Sequence, residues 1–224
     1  MPSRTAVTAF FTHREKNGKP IVFRNVGILG TGPTGRAIAH RVVGSGVSVL
    51  LANTRGPLSM AALCSTLGPL ARAVSVGHAA LGDAVVLALP FVRVPELAEV
   101  VDDWTGRIVI DATNQFATYT PRYSGYVDLG EETGSEWVAR QLPGATVIKA
   151  FNTLTADHIR ADPYPPAGRR VVFFAGDDAG ACSQFAEFLD VLQYAPVYMG
   201  PLRDGGALMQ LGGPLSALHV LRQA

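Results

Sequence analysis

The apolar residues of this chain fall into short runs, and most of the runs are followed by a stretch with the period of a helix. Runs of four to eight apolar residues are typical of strands that are buried on both faces of a sheet. The runs occur at 26–29, 47–52, 71–76, 84–89, 107–112, 145–152, 169–176 and 195–200. The helical stretches occur at 36–43, 59–67, 78–81, 94–101, 135–141 and 178–189, with a further helical segment at the end of the chain.

Strands that alternate with helices at this spacing predict an α/β fold with a doubly wound, mainly parallel sheet, because the crossovers between parallel strands are right-handed. Pro196 makes the last run an edge strand. We divide the chain into a leader (1–23), which is either a hairpin or disordered, a main domain (24–160) and a small C-terminal extension of the same domain (161–224).

A glycine-rich turn joins the first strand to the first helix. It reads G-x-G-x-x-G, the form of a Rossmann-type dinucleotide-binding turn. Gly30 would allow the tight turn, Gly32 would let a pyrophosphate approach the backbone, and Gly35 would let the helix pack closely on the strand. The motif alone also occurs in turns that bind nothing, but its strand and helix context favours a cofactor site. The candidate cofactor-binding residues here are Gly30, Thr31, Gly32, Pro33, Thr34 and Gly35.

The end of the second strand indicates which dinucleotide is bound. NAD-binding domains usually carry Asp or Glu there, which binds the ribose hydroxyls and repels a 2′-phosphate. This chain has Asn53, Thr54 and Arg55 instead, and Ser59 follows near the next helix. An arginine and neutral donors suit the additional phosphate, so we predict NADP(H) as cofactor. The alternative is that Thr54 and Arg55 are ordinary solvated loop residues.

Composition excludes several other classes of protein. The formal net charge is +1, which gives no reason to expect a nucleic-acid partner. The cysteines, Cys64 and Cys182, show no metal-type spacing, so we predict no metal site and a reducing compartment. The longest apolar run (84–92) is too short to span a bilayer, and 5–11 lacks the length of a signal-peptide core. We therefore expect a soluble, cytoplasmic protein without a membrane partner.

Several sequence blocks together resemble one enzyme family. They occur in the order seen in the NADPH-dependent F420 reductases, also called the NADP oxidoreductases, coenzyme F420-dependent. Similar domains supply NADPH binding in the six-transmembrane metalloreductases. Besides the glycine turn, the blocks are Asn53-Thr54-Arg55-Gly56-Pro57, Leu87-Ala88-Leu89-Pro90-Phe91, Ile108-Val109-Ile110-Asp111-Ala112-Thr113-Asn114, Val147-Ile148-Lys149-Ala150-Phe151-Asn152-Thr153, Ala175-Gly176-Asp177-Asp178 and Gly212-Gly213-Pro214-Leu215.

The resemblance implies hydride transfer between NADPH and a flat deazaflavin, coenzyme F420, as co-substrate. By this resemblance Thr54, Arg55 and Ser59 contact the 2′-phosphate, and Leu89 and Pro90 lie near the ribose and the nicotinamide. Ala150 is assigned to the cofactor, and the residues assigned to the acceptor are Phe91, Phe151 and Asn152. The chain departs from the family at Phe91, where many relatives have tryptophan, at Gln115, which replaces a common proline, and in the leader. The loop 116–131 resembles nothing in the family and is expected to border the acceptor site.

Hydride transfer needs alignment and a water-poor pocket more than an acid or a base, so we assign no catalytic residue. We expect His158 to be a surface or capping residue, Asp111 to orient a loop or lie in the cleft, and Asp177-Asp178 to cap a helix. We predict an NADPH oxidoreductase of the F420 reductase type, as a homodimer whose second copy walls the acceptor site. The alternatives are a reductase of a flavin, a ferric chelate or a small carbonyl or imine compound, or a non-catalytic NADP(H)-binding redox sensor.

Overall fold

The computed structural model describes residues 22–120 and 122–223, so most of the predicted leader lies outside the described residues. The described chain forms one sheet of nine strands with helices between them. The strands are β1 (Asn25–Leu29), β2 (Ser48–Ala52), β3 (Ala71–Ala73), β4 (Ala84–Leu87), β5 (Ile108–Asp111), β6 (Thr146–Ala150), β7 (Arg169–Gly176), β8 (Ala195–Tyr198) and β9 (Leu221–Arg222).

The strand order is β3-β2-β1-β4-β5-β6-β7-β8, and β9 pairs with β7. Strands β1 to β6 are all parallel, which is the order and direction of a Rossmann-type sheet. Strand β7 is antiparallel to β6, and β8 is parallel to β7. The predicted α/β fold with a mainly parallel sheet is therefore confirmed. Strand β8 lies at the edge of the sheet, where Pro196 costs no hydrogen bond to a further strand.

The α-helices connect the strands, most of them at the positions that the periodicity predicts, and a short helix at 156–160 is additional to those predicted. They are α1 (Pro33–Gly44), α2 (Ala61–Leu67), α3 (Val76–Ala79), α4 (Gly134–Gln141), α5 (Ala156–Arg160), α6 (Ala179–Val191) and α7 (Asp204–Met209). The predicted helix at 94–101 is instead a 3-10 segment over Phe91–Glu99. Pro95 lies inside it, and since proline has no N–H, a regular α-helical bond is missing there. The predicted terminal helix is short, and strand β9 follows it.

The hydrophobic core has two parts, one on each face of the sheet. One part packs α1 and α6 against the sheet and includes Phe23, whose ring lies 5.1 Å from that of Phe188. The other part packs α4 and the 3-10 segment against the opposite face, with Trp104 among its buried side chains. Within the described ranges, none of the helices combines the length and the apolar character that crossing a membrane requires.

Candidate functional site

A cavity of about 1000 Å³ opens at the carboxyl ends of β1 to β5. This is the edge at which open α/β sheets bind their ligands. Every residue that lines it belongs to the segment between 29 and 123. The structure brings ten of the predicted site residues together here: Gly30, Thr31, Gly32, Pro33, Thr34, Asn53, Thr54, Arg55, Leu89 and Pro90.

The three glycines of the turn are each constrained differently. Gly30 has φ +111°, and a Cβ there would lie 2.1 Å from the carbonyl oxygen of Ala88. A Cβ on Gly35 would lie 2.0 Å from the carbonyl oxygen of Gly30, so this position needs glycine for the close approach of α1 to the turn. Gly32 differs, because a Cβ there would meet no atom within 4 Å. The backbone at Gly32 therefore faces open space in the cavity, where a phosphate group could approach it.

The start of α1 leaves N–H groups available for an anion. Gly32 is the N-cap residue, and no side chain caps the helix or places an acidic group in its first turn. Unpaired N–H groups and the positive end of the helix dipole favour a phosphate at such a position. Arg36 Nε donates to the carbonyl oxygen of Thr31 at 2.8 Å and so fixes the turn from outside. The open space at Gly32 and the uncapped helix together fit a dinucleotide pyrophosphate.

Asn53 connects the glycine turn to the loop after β2. Its Nδ2 donates to Thr31 Oγ1 at 2.9 Å, and its Oδ1 accepts the backbone N–H of Arg55 at 2.9 Å. Thr54 and Arg55 are exposed and line the cavity. Ser59 does not line the cavity. Its Oγ lies 2.7 Å from the carbonyl oxygen of Gly56 and 3.1 Å from Asn53 Oδ1, within the loop itself. Ser59 thus supports this loop from outside the cavity, and Arg55 is the cationic side chain at this end.

Three of the residues assigned to the reacting rings are core residues in the structure. Ala150 and Phe151 are 0% and 1% exposed, and neither lines the cavity. Phe151 has φ +63°, a left-handed conformation, and its ring packs edge-on against those of Phe185 and Tyr194. Phe91 is 1% exposed, and its ring lies 4.4 Å from that of Trp137. We therefore correct the expectation that these side chains contact the bound rings, because they are covered by other side chains.

Asn152 lies outside the cavity lining and is hydrogen-bonded to Asn114, which lines it. Its Nδ2 donates to the carbonyl oxygen of Met209 at 2.7 Å and to Asn114 Oδ1 at 3.2 Å. Asn114 lines the cavity, and its own Nδ2 donates to the carbonyl oxygen of Asn152 at 3.1 Å. Asn152 itself is buried and lies outside the lining. The structure thus makes Asn114 the residue at the cavity and Asn152 the residue that positions it.

A buried charged pair lies beneath this end of the cavity. Lys149 Nζ donates to Asp111 Oδ2 at 3.0 Å and to the carbonyl oxygen of Thr113 at 2.6 Å. Asp111 Oδ1 accepts the backbone N–H of Thr113 at 2.9 Å, as expected for a residue that orients the loop, and Oδ2 accepts Ser135 Oγ at 2.5 Å. Sequence analysis did not identify Lys149, although a lysine in an otherwise apolar strand is an unusual signal. The pair fixes Thr113, which lines the cavity.

The loop that the family resemblance left unexplained supplies aromatic rings to the cavity. Its lining includes Phe116, Tyr119 and Tyr123. The Tyr119 hydroxyl donates to the carbonyl oxygen of Asn114 at 2.7 Å and accepts the backbone N–H of Phe91 at 2.7 Å. The loop therefore borders the cavity, and Tyr119 joins it to the ends of β4 and β5.

The remaining polar candidates have structural partners away from the cavity. Asp178 caps α6, with Oδ1 accepting the N–H of Ala181 at 2.7 Å, as predicted. Asp177 Oδ1 accepts the N–H of Leu202 at 2.9 Å and so fixes the chain before α7. His158 lies in the first turns of α5, and its ring stacks on that of His219. None of the three lines the cavity.

Part of the chain matches a known protein family. Residues 25–115 match the model of the family described as NADP oxidoreductase coenzyme F420-dependent, so the resemblance is confirmed over this segment. Among curated proteins, metalloreductase STEAP3 from Rattus norvegicus is 30% identical over 179 residues, which are 79% of this chain and 34% of that protein. The chain therefore spans about a third of the length of this curated relative.

Two solved structures share the fold over most of their length. The hypothetical protein SMa0349 from Sinorhizobium meliloti is 37% identical with a TM-score of 0.82, and the match covers 89% of this chain and 95% of that one. A protein from Arthrobacter sp. FB24, provisionally named an F420-dependent NADP-reductase, is 22% identical with a TM-score of 0.69, over 80% of this chain and 86% of that one. The second likeness bears on the fold alone.

Proposed function

We propose that the chain transfers a hydride between NADPH and a deazaflavin coenzyme of the F420 type. The family is that of the NADP oxidoreductases, and the proposal concerns the acceptor. The observation that carries it is the asymmetry of one cavity. At one end it has a glycine turn open to phosphate and the exposed Arg55, and the part of its lining that follows β5 consists of uncharged and aromatic residues.

The residues at the cofactor end bind and orient the dinucleotide. The uncapped N-terminus of α1 and the open backbone at Gly32 would hold the pyrophosphate, and Arg55 would bind the 2′-phosphate with charge-assisted hydrogen bonds. Asn53 keeps these two parts in register because it bonds to both loops. Leu89 and Pro90 supply apolar contacts along the same wall of the cavity.

The distribution of charge supports a reaction that needs no acid or base. The charged residues of the lining come from the loop after β2 and from the 3-10 segment: Arg55, Arg93, Glu96 and Glu99. The part of the lining that follows β5 has no charged residue. It consists of Ala112, Thr113 and Asn114 together with the aromatic rings. When bound, NADPH supplies the hydride. The protein holds the two rings together and limits water between them, which is the main requirement of such a transfer.

A reductase of a flavin or a ferric chelate is the second candidate, because the curated relative is a metalloreductase. A ferric ion accepts one electron, whereas a hydride carries two. Reduction of ferric to ferrous iron therefore requires a flavin or a similar carrier, which takes up both electrons from NADPH and passes them on singly to two ferric ions. A non-catalytic sensor would be expected to have the acceptor end filled. The cavity volume of about 1000 Å³ with the loop at its border supports an enzyme rather than a sensor.

The test is an anaerobic panel of acceptors in which the absorbance of NADPH is followed. We expect hydride exchange between NADPH and F420 in at least one direction, with NADH much poorer as donor. Reduction of free flavin or of ferric citrate with flavin, without exchange with F420, would favour the second candidate. Tight NADPH binding without reduction of any acceptor would favour the sensor.

We also propose that the protein is a homodimer. Residues 161–223 contribute no side chain to the lining of the cavity, so this part of the chain leaves the acceptor end without a wall of its own. A second copy could supply that wall. Light scattering of the purified protein would give a mass twice that of the 23.7 kDa chain. The cytoplasmic location stays a prediction.

A further inference from the structure

We infer that the hairpin-like loop with Phe116, Tyr119 and Tyr123, here called the aromatic loop, is the docking platform for the acceptor ring. The ligand class is a planar, conjugated heterocycle of the isoalloxazine or deazaisoalloxazine kind. This inference rests on the proposed function, because it takes the cofactor end of the cavity as the NADPH site. It assigns the acceptor contacts to Phe116, Tyr119 and Tyr123 in place of Phe91, Phe151 and Asn152.

The aromatic loop is built from defined contacts. Thr118 and Ser124 form an antiparallel bridge, and the N–H of Val127 donates to the carbonyl oxygen of Gln115 at 2.9 Å. The Thr118 and Ser124 hydroxyl groups lie 2.5 Å apart across the bridge. The rings thus project from a closed loop whose two ends are tied together. A ligand that binds here would meet a surface that is already formed.

Tyr119 holds the platform against the sheet. Its hydroxyl donates to the carbonyl oxygen of Asn114 and accepts the N–H of Phe91, so both of its main hydrogen-bonding roles are used within the protein. Burial raises the pKa of Tyr119, which keeps its hydroxyl protonated and able to donate. Its ring meets the rings of Phe116 and Tyr123 edge-on, at 6.0 Å and 5.1 Å between centroids. We assign Tyr119 as a positioning residue.

Tyr123 and Phe116 offer the free aromatic surface. Their ring centroids lie 5.2 Å apart with 31° between the ring planes, and Tyr123 remains 57% exposed. They are, with Tyr119, the aromatic residues among those that line the cavity. Aromatic rings at an exposed position in a binding cleft bind flat conjugated groups by stacking, which depends little on the polar groups of the ligand. This explains why the acceptor end can lack charged side chains and still bind a ring.

The platform also lies at the correct part of the cavity. Through Tyr119 it is bonded to the residue after Pro90 and to Asn114, at the ends of the neighbouring strands β4 and β5. Arg55, at the end of β2, lies on the far side of β1 from this point. A dinucleotide that reaches from Arg55 across the glycine turn would therefore end its nicotinamide portion beside the aromatic loop. A ring docked on Tyr123 would then lie against the nicotinamide.

The experiment measures ring binding apart from catalysis. Riboflavin and F420 are titrated separately into the full-length protein, with and without NADP⁺, and quenching of the fluorescence of each ring gives its Kd. Tyr123→Leu removes the aromatic face and keeps an apolar side chain, whereas Tyr123→Phe keeps the ring. Tyr164→Leu is the matched control, because Tyr164 is 55% exposed and lies outside the cavity. Tyr119→Phe removes only the two hydrogen bonds of the hydroxyl.

We expect Tyr123→Leu to raise the Kd of the bound ring about tenfold, which corresponds to about 1.4 kcal/mol, with the Kd of NADPH changed by less than about twofold. Tyr123→Phe and Tyr164→Leu should stay near wild type, and Tyr119→Phe should weaken ring binding and leave NADPH binding intact. The tighter of the two rings identifies the source of the acceptor. An unchanged Kd in Tyr123→Leu, or a wild-type protein that binds neither ring, would overturn the platform. The NADPH titration tests the proposed cofactor site independently of that result.

Discussion

Asn114 and Asn152 exchange two hydrogen bonds across the ends of β5 and β6. Each Nδ2 donates to the other residue, Asn114 to the carbonyl oxygen of Asn152 at 3.1 Å and Asn152 to Asn114 Oδ1 at 3.2 Å. Asn152 also bonds to the carbonyl oxygen of Met209, so it ties the cavity to the C-terminal part of the chain. The wall of the cavity therefore depends on a residue that does not line it.

Replacing Asn152 should slow the oxidation of NADPH by the acceptor more than it weakens NADPH binding, because Asn152 positions Asn114. In Asn152→Leu the carbonyl oxygen of Met209 and Oδ1 of Asn114 lose their donor, which should lower the free energy of unfolding by about 1–3 kcal/mol. We expect slower oxidation of NADPH by the acceptor with an NADPH Kd close to that of wild type. Urea unfolding and calorimetry measure the two quantities. A large loss of NADPH affinity in a folded variant would instead make Asn152 part of the cofactor site.

Filling the open space at Gly32 should abolish cofactor binding. Its φ is −72°, which valine tolerates, and a Cβ there meets no atom within 4 Å, so Gly32→Val should fold. The valine side chain would occupy the space that the pyrophosphate needs. Gly44→Val is the matched control, because a Cβ at Gly44 also meets nothing and the residue ends α1 away from the cavity. NADPH affinity near wild type in folded Gly32→Val would remove the glycine turn from the site.

Reversing the charge at Arg55 should change which dinucleotide is preferred. Arg55→Glu replaces attraction to the 2′-phosphate by repulsion, and a charge-assisted pair contributes about 1.5–3 kcal/mol, so the preference for NADPH over NADH should fall by about 10- to 100-fold. Arg72→Glu is the control, since Arg72 is exposed on β3, lies outside the lining and changes the net charge equally. If the preference falls by less than about twofold in Arg55→Glu, Arg55 is only a loop residue.

Removing the cation of the buried pair should be strongly destabilising. Lys149 and Asp111 are 3% and 0% exposed in their side chains, so Lys149→Met leaves a buried carboxylate without its ammonium partner. The free energy of unfolding should fall by about 3–5 kcal/mol. The double variant Lys149→Met/Asp111→Asn should recover part of the loss, because no charge is then buried. Arg140→Met breaks the exposed pair with Glu132 and should leave the free energy of unfolding almost unchanged in the same urea experiment, because solvent screens an exposed pair.

His219 should make the protein less stable in acid. Burial, and then the charges of Arg170 and His158, lower the pKa of His219 below its ordinary value of 6.5. The unfolded chain therefore takes up this proton first as the pH falls. The stability is complete above about pH 6.5 and is lost as the pH falls towards the lower folded-state pKa. Unfolding by urea at pH 7.5 and pH 5.5 measures the loss.

The variant His219→Gln should reduce this dependence on pH. His40→Gln removes a histidine from the exposed face of α1 and serves as the comparison. The difference between the two variants in the pH dependence of unfolding isolates the contribution of His219. An equal dependence in both would show that the environment of His219 does not contribute to the pH dependence of stability.

The sequence by itself determined the fold and the cofactor end of the cavity. Local patterns carry this information, because apolar runs bury their strands on both faces and the spacing of Gly30, Gly32 and Gly35 is fixed by one turn. The end of β2 follows the same logic, since Asn53 and Arg55 lie in a short loop directly after a strand. These are properties of neighbouring residues, and they can be recognised before the chain is folded.

The side-chain contacts at the proposed acceptor end were decided by the tertiary structure. Lys149 and Asp111 are 38 residues apart, and only the pairing of β5 with β6 makes them partners. Phe151 lies at the end of a predicted strand (145–152) at the correct edge of the sheet, yet its left-handed backbone is accompanied by a ring packed in the core. The rings of the aromatic loop reach the cavity through bonds from Tyr119 to two separate strand ends. Side-chain direction and long-range hydrogen bonds decide these contacts, and neither follows from the local pattern of residues.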